Sequence, residues 1–152
     1  MSEETGIDDE AMNLASGVAA FEAKEFRRAW QLLQPLADRG QLDAMYRCAI
    51  MMQNGLGVIE RPKVAAQMMR QAAEQGYGLA QHSLAVMYLY GEAVEQDSLE
   101  AIKWFELAGE GGLAGSWTTL GMVFKEGVGI EVDEERARAY YAKAGFDASD
   151  FA

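Results

Sequence analysis

Apolar residues recur along this chain at helical spacing, and the pattern itself recurs. Between residues 44 and 52, the small Ala44 and Ala49 share a stripe with the larger Met45, Cys48 and Met52. Residues three and four apart lie on one face of an α-helix, so the stripe predicts an amphipathic helix with one buried side. One period on, Ala80, Leu84, Ala85 and Tyr88 repeat it. The period is 36 residues, set by Gly40, Gly76 and Gly112. On it align Ala44, Ala80 and Ser116, then Ala49, Ala85 and Gly121, then the bulky Met52, Tyr88 and Phe124. Ala65, Ala101 and Ala137 follow, with the large pairs Met68-Met69, Trp104-Phe105 and Tyr140-Tyr141 behind them. Residues 40–75 and 76–111 share nine identities in 36, where common residue frequencies alone give about two.

Each period predicts two helices. The loop glycines Gly55, Gly91 and Gly127 end the first helix, since glycine accepts the positive φ of a helix C-cap. A second glycine follows at Gly57 and Gly129, but Ala93 stands at the equivalent place. The second helix opens at Asp97 and Asp133, both good N-caps, with Glu100 placed to complete a capping box on Asp97. Pro62 takes the opening role in the first full unit. Ahead of Gly40 lies a shorter unit in which Ala29, Leu33 and Leu36 stand for Ala65, Met69 and Ala72, with a loop about four residues shorter. Pro35 falls inside its second helix and is expected to kink it. The expectation is an all-α chain of about eight helices in four helical hairpins. It forms one domain over residues 10–145, with units at about 10–39, 40–75, 76–111 and 112–145.

Charge refines this picture at the ends. The 152 residues carry 13 basic and 24 acidic side chains, a formal net charge of −11. Glu3, Glu4, Asp8, Asp9 and Glu10 precede the first predicted helix, and Asp147 and Asp150 follow the last. Residues 1–9 therefore read as an acidic flexible arm, and 146–152 as a tail or cap in which Phe146 and Phe151 fold back over the last hairpin. Nucleic acid and anionic membrane surfaces are disfavoured as partners, because both need a basic stripe. No apolar run approaches the roughly twenty residues of a membrane span, and the first residues lack the pattern of a signal peptide. A soluble, cytoplasmic protein is the expectation.

The run Ala80-Gln81-His82-Ser83-Leu84-Ala85-Val86-Met87-Tyr88, then Gly91, then Ala101-Ile102-Lys103-Trp104-Phe105 and Ala108, resembles a Sel-1-like repeat, a relative of the tetratricopeptide repeat. The resemblance covers roughly residues 40–145, and the leading unit is similar to a tetratricopeptide hairpin. It implies a right-handed α-solenoid, an α–α superhelix whose first helices line a concave surface for protein partners. The family's concave positions, carried onto this chain, select Val18 and Phe21 in the leading unit and Tyr46 and Ile50 in the next. They then select His82, Val86, Leu89 and Tyr90, and finally Met122 and Glu126. The ladder Val18, Ile50, Val86 and Met122 is apolar at all four levels, beyond what the core stripes account for, as a binding strip would be.

Catalytic chemistry has little to work with. His82 is the single histidine and Cys48 the single cysteine, so no two-histidine metal site, thiolate cluster or internal disulfide can form within one chain. Cys48 aligns with Leu84 and Leu120 and reads as a core residue. His82 reads as a plain groove or surface residue, the alternative being a partner contact that weakens on protonation near pH 6.5. The glycine loops lack the Lys-Ser or Lys-Thr of a phosphate cradle. The expected function is a non-catalytic adaptor or scaffold with no cofactor and no metal. Its groove would bind a protein or peptide with a basic flank, and the protein would be monomeric rather than oligomeric. A self-assembling subunit joined through open solenoid ends is the alternative, and an enzyme with a site near His82 a remote one.

Overall fold

The computed structural model describes the backbone from Glu3 to Asp147 and the side chains from Asp9 onward. Asp150 and Phe151, read as part of a cap, lie outside the described residues. Every regular element within them is an α-helix: α1 (Glu3–Glu22), α2 (Phe26–Asp38), α3 (Leu42–Asn54), α4 (Pro62–Glu74), α5 (Gly78–Tyr90), α6 (Ser98–Glu110), α7 (Ala114–Glu126) and α8 (Glu134–Lys143). The fold is all-α, four helical hairpins in chain order.

The loops of the last three hairpins are closed by the same backbone contacts each time. Gly55, Gly91 and Gly127 sit at φ 66, 69 and 72, and donate their N–H groups to the carbonyls of Met51, Met87 and Val123. The N–H groups of Arg61, Asp97 and Asp133 then donate to the carbonyls of Met52, Tyr88 and Phe124, at 2.8, 2.9 and 2.9 Å. The Asp97 carboxylate accepts from the N–H groups of Leu99 and Glu100, both at 3.1 Å. The Asp133 carboxylate accepts from Arg136 N–H at 3.0 Å. Glu100 does not complete a capping box, because the Asp97 N–H it would accept from is already bonded to Tyr88. Gln41 caps α3 through its side-chain oxygen, 2.7 Å from Ala44 N–H.

One expectation changes at the N-terminus. α1 begins at Glu3, so the acids read as an arm ahead of the first helix lie within its opening turns. Acidic residue types near the start of a helix are favoured by its dipole, with no need for an apolar pattern. α2 runs through Pro35 to Asp38 as one helix. The loop between α1 and α2 is only residues 23–25, with Lys24 in the left-handed region at φ 62.

The chain divides after Ala72 into two compact units, as a repeat array can when each hairpin packs only on its neighbours. In the first unit the centre is Leu33, Cys48, Met51 and Met69, with Ala29, Ala44, Ala49, Ala65 and Ala72 around them, all buried. A Cβ at Gly17 would come within 2.5 Å of the Leu33 side chain, so α1 and α2 approach more closely there than alanine permits. In the second unit Leu84, Met87, Phe105, Leu120, Val123 and Phe124 form the centre. Gly109 lies against the Trp117 ring and Gly121 against the Tyr141 ring, where a Cβ would come within 2.4 and 2.6 Å. The Gln81 side chain donates to the Ala73 carbonyl at 3.1 Å, satisfying an acceptor in the last turn of α4.

Candidate interaction surface

In the second unit α5 carries two apolar stripes. One is the core stripe of Ala80, Leu84, Ala85 and Met87, which is buried. The other is Leu79, Val86 and Tyr90, whose spacings of seven and eleven residues return to one side of a helix. Leu79 is 39% exposed, Tyr90 55% exposed and Val86 half-buried. Leu89, read with the same groove, is only 3% exposed and belongs with the buried positions. One helical step of about 100° separates it from Tyr90, enough to turn it inward.

α7 lies beside α5, and His82 and Ser116 join them. His82 Nδ1 and Ser116 Oγ are hydrogen-bonded at 2.8 Å, and the imidazole meets the edge of Phe105 at 5.1 Å between ring centroids. Burial holds the His82 pKa below its ordinary 6.5. His82 is thus a half-buried bridge between helices, not the open groove residue titrating near 6.5 that its register suggests. Ser116 Oγ is fully buried and cannot meet a substrate. On α7, Met122 is half-buried and Glu126 exposed. Glu126 adds its charge to burial in raising the Tyr141 pKa, burial being the larger cause.

In the first unit Val18, Phe21, Tyr46 and Ile50 are all half-buried. Phe21 meets Phe26 edge-on at 5.6 Å, and the Arg47 guanidinium lies over its ring at 5.0 Å. Arg47 is held there by the Asp43 carboxylate at 3.1 Å. An arginine lid on Phe21 was not legible in the repeat register, because it depends on a rotamer and on a neighbour from another helix. Ser116 was closer to legible, as the hydroxyl at a small core position otherwise held by Ala44 and Ala80. The first unit also has an apolar recess that the helical stripes did not flag, lined by Trp30, Met52, Val58, Ile59 and Arg61.

Cys48 is buried, and desolvation together with the Asp38 charge pushes its thiol up to about 12, so it is not a nucleophile in the folded chain. No group of three or more His, Cys, Asp or Glu side chains among the described residues is placed to hold a metal ion. No helix among them is long and apolar enough to cross a membrane.

Four hairpins of short helices, with small residues between them and glycine-ended loops, define the class of helical-repeat proteins related to the tetratricopeptide repeat. Within that class the chain belongs to the Sel1 repeat family, whose model matches residues 42–77, 78–113 and 120–145. The family is a helical-repeat fold that typically mediates protein–protein interaction. A Sel1 repeat protein from Oxalobacter formigenes is similar over 88% of this chain, at 28% identity and a TM-score of 0.76. A protective antigen present in uropathogenic Escherichia coli strains, displaying an SLR fold, is similar over 90% of it, at 31% identity and a TM-score of 0.78. The chain spans 53% of the first protein and 30% of the second. No curated protein matches the sequence.

Proposed function

We propose that the chain is a non-catalytic interaction module, an adaptor or scaffold that holds a partner peptide or protein against its first helices. The observation that carries this reading is the second apolar stripe of α5. Leu79, Val86 and Tyr90 share one side of the helix, and two of them stay exposed although the core already has its own stripe. Exposed apolar surface with an aromatic anchor is the usual composition of a binding hot spot. Met122 extends that chemistry on the neighbouring α7, and the exposed Glu126 favours a basic flank on the partner.

The test compares co-purification from the source organism's lysate by three proteins of equal helicity. These are the wild type, a Val86→Glu, Tyr90→Ala variant, and a Leu99→Glu variant altered at an exposed site on α6. A protein retained by the wild type and by Leu99→Glu, and lost by the double variant, supports docking on α5. Loss with Leu99→Glu alone moves the interface to the second helices and removes the groove from the reading.

A further inference from the structure

The recess of the first unit, lined by Trp30, Met52, Val58, Ile59 and Arg61, stands where the repeat breaks its own pattern. In the next two periods the position of Ile59 holds Glu95 and Glu131, and that of Arg61 holds Asp97 and Asp133. The Arg61 carbonyl accepts from Ala65 N–H at 2.9 Å, as the Asp97 and Asp133 carbonyls accept from Ala101 and Ala137. Arg61 therefore occupies the same capping position, ahead of α4. An arginine there offers the first turn no side-chain acceptor, and its charge meets the positive end of the helix dipole. Folding alone favours aspartate at 61 and a polar residue at 59, where Ile59 is left 77% exposed.

Charge departs from the rest of the chain at the same place. Residues 23–72 carry eight basic and four acidic side chains, whereas residues 73–152 carry five and fourteen. Two of those cations flank the recess. Arg61 lines it, and a Cβ on Gly57 in the same loop would come within 2.8 Å of the Arg27 backbone nitrogen. Arg27 lies one turn before Trp30 and shares its side of α2. Both arginines are exposed, and neither guanidinium has an ion-pair partner among the described residues. Glu60, the one carboxylate of residues 55–61, is exposed and pairs with neither.

We propose that this recess is a second docking site, for an acidic segment of a partner protein that carries a bulky apolar anchor. The anchor packs on Trp30, Val58 and Ile59, and carboxylates beside it pair with Arg27 and Arg61. Apolar contact supplies the affinity, and the opposed charges supply the selectivity. A short acidic segment fits better than a nucleic acid, because aliphatic side chains form most of the lining and a chain of net charge −11 repels a long polyanion. The α5 stripe belongs to the other unit and suits a basic flank, so the two surfaces select different segments.

The test uses the full chain and short synthetic peptides, each with a Leu, Phe or Trp anchor between Glu and Asp flanks, and copies in which Gln and Asn replace the acids. The Trp30 indole and Ile59 methyl resonances are expected to shift with an acidic peptide, and its neutral copy to bind about tenfold more weakly. Arg61→Asp and Ile59→Glu restore the residues of the later repeats. Each is expected to lower the acidic peptide's affinity about tenfold, while Arg61→Asp raises Tm by about 2–4 °C through the cap it supplies. A Tm that falls in Arg61→Asp gives Arg61 a structural role and overturns the proposal. So do resonances that no acidic peptide moves, equal binding of the neutral copies, or a response to single-stranded oligo(dT) in place of the peptides. The same shifts on concentrating the chain alone also overturn it, since they assign the recess to a second copy.

Discussion

Ala93 adopts φ 61, a torsion that the equivalent positions give to Gly57 and Gly129 at φ 70 and 68. For a residue with a Cβ the left-handed region costs roughly 1–2 kcal/mol. Ala93→Gly is therefore expected to stabilise the protein by about 0.5–1 kcal/mol, after glycine's extra freedom in the unfolded chain is set against the gain. Urea unfolding measures it. Gly57→Ala runs the other way and further, because its Cβ would come within 2.7 Å of the Phe26 carbonyl carbon as well as straining the torsion. A loss above about 2 kcal/mol is expected, and a loss below half of that would mean the loop shifts freely. His82 gives a pH signature. Burial lowers its folded pKa below 6.5, so the unfolded chain binds the proton more readily. The contribution is complete above pH 6.5 and is lost as pH falls from there toward the folded pKa. His82→Gln should flatten that part of the stability profile. The odd residue at 93 was visible in the sequence because alignment exposes a missing glycine. The depressed histidine was not, because a pKa depends on what the folded helices place around the ring.

At the scale of helices, starts and stops are the most legible features. Asp97 and Asp133 were readable as caps from type and position, and both accept the expected N–H groups. Asp97→Ala should cost about 1 kcal/mol and Asp97→Asn much less, since asparagine keeps the accepting oxygen; equal losses in thermal melts would argue against a capping role. Glu100 shows the limit of such motifs. Its spacing fits a capping box, but the backbone bond from Asp97 to Tyr88 removes the donor. The start of α1 was missed for the opposite reason. Its first residues include Glu3, Glu4 and Asp8 and show no apolar period, so the reading by hydrophobic stripes had nothing to count.

For the whole molecule, the repeat was decisive, since a 36-residue period fixes which residues face inward at every level. What stays exposed was less legible. Leu89 and Tyr90 are both bulky, adjacent and apolar enough for either role, and only packing decides that one is buried and the other open. The acidity of the chain acts at this scale too. With net charge −11, a partner bearing a basic flank should associate several-fold more slowly as salt rises from about 50 to 500 mM, because the Debye length shortens severalfold over that range. Dissociation should change much less, and stopped-flow mixing separates the two. An association rate indifferent to salt would remove the basic flank from the partner's description.

The bonds from Arg61, Asp97 and Asp133 to the carbonyls nine residues earlier use only main-chain atoms. Mutation can therefore change the side chains at the donor and acceptor positions while leaving the latch intact, as Arg, Asp and Asp already occupy the donor position and Met, Tyr and Phe the acceptor. Length has no such freedom. One inserted residue takes the donor off its acceptor and rotates the following helix start, whereas a whole inserted period leaves every latch as it was. Lineages carrying this chain should then differ by substitutions and by entire hairpins gained or lost, and seldom by single residues within a loop.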